Sequence, residues 1–266
     1  MFAAAETREA RIAGAASLLA DIRRGRRDKP PGLPQPLQPA DQVEAEAMQL
    51  ATYAAMGWKI GGWKVGRSAD MTFAAPVADT MTTEVSATTL RLPLGAGMEL
   101  ECALRLKRAL TRAELEGLTM AALPDLADLV MLFELVESRY AAGHPQNPLE
   151  RLADCVLNHS VVVGPATGAW TWADIEQAAM RLTVDGIEVA KHAGSHAAPH
   201  RAMPLEPLVM AWRDRCLGIG HLPQAGEVVT LGSLTGLLPV PAAGGVLVGE
   251  LAGRGTLEIK VGPLGA

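Results

Sequence analysis

Aromatic side chains are scarce: five Trp, two Tyr and three Phe among 266 residues, 4% of the chain. Base stacking has few platforms in such a sequence, and the core must be aliphatic. The three cysteines, Cys102, Cys155 and Cys216, are far apart and odd in number, which excludes a disulfide framework and a CxxC motif. Uncharged apolar runs of the roughly 18 residues needed to span a bilayer are missing. The opening MFAAAETREARIAG sets acids ahead of any apolar stretch, unlike a secretory signal. A surplus of positive charge is missing as well, since the net charge is −5. These absences predict a reduced, cytoplasmic protein with no membrane and no nucleic-acid partner. GxGxxG, GxxxxGK[ST] and GxSxG are also lacking, so dinucleotide, P-loop and nucleophile-elbow sites are disfavoured.

What is present is a globular composition, 49% hydrophobic and 20% charged, with 27 Gly and 18 Pro that imply many turns. Ile12, Ala16, Leu19 and Ile22 recur at helical spacing over 5–24, with Thr7 as N-cap. The run Arg23, Arg24, Arg26, Arg27 and Lys29 that ends this segment reads as a solvated helix C-terminus. KPPGLPQPLQP then breaks regular structure, and Asp41 caps a second helix over 41–56. From 57 the pattern turns to short β-branched runs at 160–164, 180–190, 227–231, 246–251 and 256–261, with a tight turn at Asp185-Gly186. Helical stretches are expected over 120–142 and 204–219. The reading is an N-terminal helical arm with a Pro-rich connector (1–56) and an α+β domain on a mixed sheet (57–266).

Four places could carry chemistry. Glu99 and Glu101 lie two apart in GMELECALRL, so on a strand both carboxylates face one way, an arrangement that suits a hard cation such as Mg²⁺ or Mn²⁺. Glu134 interrupts the apolar LMLFELV; it either pairs with a cation such as Arg139 or completes a three-carboxylate site. Lys64 in GGWKVG is hemmed by glycines and Trp63, a setting that would desolvate the amine and lower its pKa, yet Lys59 in GWKIG has the same surroundings. Ser233 and Thr235 in GSLTG follow a strand and could hold a carboxylate. His192, His196 and His200 are spaced four apart, but HAGSHAAPH reads as a loop and no acid joins them; His159 reads as structural.

Several segments in order resemble the 2-keto-4-pentenoate hydratase / 4-oxalocrotonate decarboxylase branch of the fumarylacetoacetate hydrolase superfamily. They are PADQVEAEAMQ (39–49), GWKVG (62–66), MELECALRL (98–106), FELVESRY (133–140) and ADCVLNHSVVVG (153–164), then VDGIEV (184–189), LPQAGEVVTLGSLTGLLPV (222–240) and GRGTLEIKV (253–261). The resemblance implies a mixed β-roll with flanking helices, a homo-oligomer, and a divalent metal, Mg²⁺ or Mn²⁺, on Glu99, Glu101 and Glu134. It implies Lys64, not Lys59, as the catalytic acid/base, and Ser233 and Thr235 as contacts to the carboxylate of a small 2-oxo acid. The activity implied is addition of water to a 2-hydroxy-2,4-dienoate. Decarboxylation of a 2-oxo-enedioate, hydrolysis of an acylpyruvate and a non-catalytic role binding an oxo-acid or a partner subunit are the alternatives. The chain departs from the pattern in three places. Val77 stands where the hydratases carry an acid, with Asp79 nearby. Cys155-Val156-Leu157 replaces an Asn followed by small residues, and Glu137-Ser138-Arg139 replaces Asp-Ser-Arg.

Overall fold

The computed structural model describes residues 7–68, 71–85, 88–141, 147–194 and 204–264. The N-terminal helices form where expected. Helix α1 (Arg8–Arg23) is capped by the Thr7 side chain, and α2 (Gln42–Met56) by Asp41. Gly57, at φ 71°, ends α2 in the left-handed conformation that glycine adopts without steric cost. Four strands follow: β1 (Ile60–Ser68), β2 (Met71–Ala78), β3 (Thr82–Glu84) and β4 (Thr89–Leu92). Next come β5 (Gly97–Leu106), the short helices α3 (Arg112–Glu116) and α4 (Leu123–Leu126), β6 (Ala127–Val136), α5 (Pro148–Ala153) and β7 (Asn158–Ala166). The chain closes with α6 (Trp172–Glu176), β8 (Ala179–Val184), β9 (Ile187–Ala193), α7 (Glu206–Ile219), β10 (Val228–Ser233), β11 (Leu238–Pro239), β12 (Gly245–Leu251) and β13 (Gly255–Pro263).

The helix expected over 120–142 is instead largely strand β6. Its residues are buried on both faces, so Ala127–Val136 shows a nearly unbroken apolar run rather than alternation, and such a run has no readable period. The turn at Asp185-Gly186 joins β8 to β9, with both residues at positive φ.

The strands make two sheets. One has eight strands in the order β2-β1-β10-β5-β6-β7-β3, with β11 beside β5; the other has five in the order β4-β13-β12-β8-β9. The larger sheet curls until β2 touches β7. Its outer face (Trp63, Val65, Leu100, Cys102, Leu104, Met131, Phe133, Leu231) packs on the second sheet and on α7 in the main core. Its inner face carries the alternate residues, and Val77, Ala103, Val130, Leu132, Val161, Val163 and Val228 pave the floor of the roll. The arm covers the rim: Leu18, Leu19 and Ile22 of α1 and Met48 of α2 pack with Phe73, Ala75, Tyr140 and Leu152.

The basic end of α1 is not simply solvated. Arg23 is buried, with Nη2 3.0 Å from Asp154 Oδ1, and its guanidinium lies 5.4 Å from the Trp58 ring centroid. Arg139 Nε reaches the same Asp154 oxygen at 2.6 Å. Two cations thus converge on one buried carboxylate beside Cys155-Val156-Leu157, three consecutive non-glycine residues at φ 53°, 52° and 65°. Left-handed backbone at non-glycine residues is strained, and it persists only where its surroundings hold it. Here Arg23 and Arg139 also donate to the Asp154 carbonyl, and Arg23 to that of Asn158, one on each side of the turn. Asp154→Asn is expected to cost about 3–5 kcal/mol, measured by urea denaturation, because it leaves two buried guanidiniums without their charge partner.

A carboxylate and lysine centre in the mouth of the roll

Register brings the site together. Lys64 on β1 pairs with Thr230 of β10, which pairs with Ala103 of β5; on β5 and β6, Glu99 stands directly opposite Glu134. Glu99, Glu101 and Ala103 share the inner face by strand alternation, so the Glu-x-Glu spacing does what the sequence suggests. One carboxylate oxygen from each of Glu99, Glu101 and Glu134 lies within 4.8 Å of the others. Lys64 Nζ reaches across the inner face to Glu134 Oε1 on β6 at 2.7 Å and Glu99 Oε2 on β5 at 3.6 Å. Lys59, its look-alike, is exposed and takes no part.

The surrounding backbone orients these groups. Gly232 N–H donates to Glu101 Oε2 at 3.1 Å, from the irregularity between Thr230 and Ser233 that breaks the β10–β5 ladder. Asn158 Nδ2 donates to Glu134 Oε1 at 3.3 Å, and Lys64 Nζ donates to the carbonyl of Val156 at 3.4 Å. The strained turn therefore stands directly over the lysine.

Charge in this pocket is unbalanced. Three carboxylates face one ammonium, and Glu134 Oε2 is buried without a hydrogen-bond partner. Burial, then the Glu134 and Glu99 charges, push Glu101 up to about 8, and burial raises Glu134 as well. Burial also works against the charge on Lys64, but Glu134, Glu99 and Glu101 outweigh it and hold the amine above its ordinary value. The lowered lysine pKa expected from the glycine-rich setting is thus reversed, because the sequence did not show the carboxylates across the sheet. Three convergent carboxylates against one ammonium, with an unpartnered carboxylate oxygen among them, fit a hard divalent cation, for which Glu99, Glu101 and Glu134 would be the donors.

The other candidates are placed as follows. The Ser233 hydroxyl accepts from Gly236 N–H at 2.9 Å, and that of Thr235 from Leu100 N–H at 3.1 Å, so both shape the GSLTG loop. Arg139, one candidate partner for Glu134, is taken by Asp154. Val77 lies in the apolar floor, while Asp79 is exposed and caps Thr80 N–H through its own side chain. His192 is on β9, paired in register with Met180; His196 and His200 lie outside the described residues. His159 sits in a bulge of β7 with Nε2 4.0 Å from Glu137 Oε2, and Glu137 in turn meets Lys29 at 2.6 Å. Burial and the nearby Arg139, Arg23 and Lys29 hold this imidazole below its ordinary value despite Glu137. Neither His159 nor Glu137 pairs with the carboxylate cluster. Sequence reasoning missed Asn158 and the Val156 carbonyl; the segment ADCVLNHS was in view, but its role depends on the left-handed turn.

No family model and no curated protein matches this chain. Solved structures do. 4-Oxalocrotonate decarboxylase from Pseudomonas putida G7, complexed with magnesium and adipate, superposes with a TM-score of 0.75 over 96% of this chain and 98% of its own, at 18% identity. The fold is that of the fumarylacetoacetate hydrolase superfamily. Two more distant examples of the fumarylacetoacetate hydrolase fold are similar over a smaller share of the chain. The 2-hydroxyhepta-2,4-diene-1,7-dioate isomerase from Mycobacterium marinum gives a TM-score of 0.52 at 14% identity, over 79% of this chain and 78% of its own. A Yersinia pestis CO92 protein described as a fumarylacetoacetate hydrolase family member gives 0.51 at 16%, over 77% and 94%. Among the described residues, no helix is long and apolar enough to cross a membrane.

Proposed function

We propose that the protein is a divalent-metal-dependent enzyme for short 2-oxo and 2-hydroxydienoic acids, and that it adds water to a 2-hydroxy-2,4-dienoate to give a 4-hydroxy-2-oxo acid. The observation that carries this reading is the Lys64 amine, 2.7 Å from Glu134 within a cluster of three carboxylates. An acid/base group is thereby built into a cation site. Two structural neighbours named for unsaturated oxo-acid enzymes, the decarboxylase and the isomerase, support the substrate class.

Glu99, Glu101 and Glu134 would hold Mg²⁺ or Mn²⁺, which supplies Lewis acidity toward the substrate's carboxylate and 2-oxygen. The rest falls to the chain. Ser233 accepts one hydrogen bond and keeps its hydroxyl proton to donate to that carboxylate. Lys64 protonates C5 from Nζ and recovers the proton from the 2-hydroxyl; water then adds at C4, and its proton passes to C3 through the same amine. Glu134 and the Val156 carbonyl fix Nζ in place between transfers. The protein acts as a homo-oligomer in this reading.

Decarboxylation of a 2-oxo-enedioate is the second reading, and Val77 favours it. The inward position where the resemblance expects an acid is apolar, and loss of CO₂ needs no base to activate water. A spectrophotometric panel separates the two. Loss of 2-hydroxypenta-2,4-dienoate absorbance, stopped by EDTA and restored by Mg²⁺ or Mn²⁺, is the expected result. Turnover of 2-oxohex-3-enedioate alone would make the enzyme a decarboxylase. Cation binding with no turnover of these or of an acylpyruvate would leave a non-catalytic oxo-acid binder.

A further inference from the structure

The three carboxylates are not equally reachable. The Glu99 side chain is 16% exposed and that of Glu134 0%, while Glu101 is buried at 1%. Approach to the centre is therefore from the Glu99 side. One step along the strands from the Glu99–Glu134 pair, on the same face and about 7 Å away, is the pair Gly97–Val136. These two residues line a cleft of about 280 Å³ with Ser138, Leu157, Leu237 and Leu238. Among the described residues, no charged side chain lines it. Gly97 lets Leu237 and Val136 close in over β5, since a Cβ there would meet Leu237 Cδ1 at 2.5 Å and Val136 Cγ2 at 2.9 Å, and these two side chains form the wall of the cleft.

A second cleft, of about 150 Å³, opens on the other side of Val156 and is basic, with Arg67, Arg151 and Ser68 in its wall. Phe73 and Val156, both in its wall, stand between it and Lys64. The Phe73 ring lies against Gly66, where a Cβ would come within 2.6 Å of Cζ, and so fills the inner face between Lys64 and Ser68. The Val156 carbonyl accepts from Lys64 Nζ at 3.4 Å on the same side. Among the described residues, the strained turn thus stands between the two clefts, and the uncharged one lies next to the Glu99–Glu134 pair along β5 and β6.

We infer that the cleft of Gly97, Val136, Leu157, Leu237 and Leu238 seats the hydrocarbon end of the substrate, which is therefore a monocarboxylic 2-oxo or 2-hydroxydienoic acid with a neutral chain and not a dioate. The inference rests on the proposed binding of a 2-oxo acid at the carboxylate centre. Leu157 and Leu237 are the residues that set the preference, and they disfavour a distal carboxylate because its charge would be desolvated there without a partner.

Isothermal titration of the Mg²⁺-loaded protein with a ladder of stable 2-oxo acids tests it without turnover. Pyruvate, 2-oxobutanoate and 2-oxopentanoate should tighten by about fourfold per methylene, and 2-oxohexanoate should bind better than 2-oxohexanedioate. Leu237 is 43% exposed, so Leu237→Arg keeps the fold and should reverse the last preference, whereas Arg67→Ala should change nothing. If 2-oxohexanedioate wins in the unaltered protein and Arg67→Ala abolishes that advantage, the basic cleft is the subsite and the inference is wrong while the oxo-acid reading stands. A flat ladder, with all acids equal to pyruvate, overturns it too. No pyruvate binding in the presence of Mg²⁺ removes the oxo-acid reading itself, and this inference with it.

Discussion

Lys64→Met is expected to lower turnover by about 10²–10⁴-fold, the usual worth of a positioned acid/base group, while divalent-cation binding survives. Methionine keeps most of the buried volume but removes the charge that stands against Glu134 and Glu99. With no ammonium in the pocket the three carboxylates repel more strongly, so the metal-free protein should melt lower than the parent and the Mg²⁺-induced rise in Tm should be larger. A structural lysine would give a different pattern, with both forms destabilised alike and turnover following stability. Lys59→Met, at an exposed position, should leave turnover and Tm unchanged.

The second large effect concerns Glu101 and has a definite sign with pH. Burial and the neighbouring carboxylates raise its folded-state value from the ordinary 4.5 to about 8. Between those limits the folded chain binds more protons than the unfolded chain, so metal-free stability falls as pH rises through this window. Glu101→Gln removes the penalty and keeps a side-chain oxygen for Gly232 N–H. The metal-free variant should therefore melt at least about 2–4 °C higher than the parent at pH 8, roughly 1 kcal/mol or more for a chain of this size, with little difference at pH 4.5. It should also lose most of the Mg²⁺-induced shift that the parent shows at pH 8. Calorimetric scans at the two pH values, with and without Mg²⁺, check this. A parent whose metal-free Tm rises from pH 5 to pH 8 would contradict the charge arrangement described here.

Local signals carried much of the fold. Thr7 and Asp41 announce α1 and α2 because a cap is a contact between residues three apart, and Asp185-Gly186 announces its hairpin for a similar reason. Parity alone aligned Glu99 with Glu101. What the sequence hid depends on partners far along the chain. β6 reads as helix because both its faces are covered, one by the outer core and one by the roll's interior. Lys64 and Lys59 are alike within two residues on either side, in GWKVG and GWKIG, and what separates them is that Lys64 is laid beside β10, opposite the carboxylates. The left-handed turn at 155–157 carries no glycine or asparagine to betray it, so its hold on Lys64 had no local sign.

The lock around Asp154 also bears on how this chain can vary. Arg23 and Asp154 are 131 positions apart, yet they share one buried ion pair with Arg139, and the turn over Lys64 hangs from it. Loss of any one member leaves charge stranded in the interior, so the three positions are coupled rather than independent. Descendants of this sequence should keep all three or exchange them together, and a change in the first helix would be felt at the centre of the roll before it was felt in the arm.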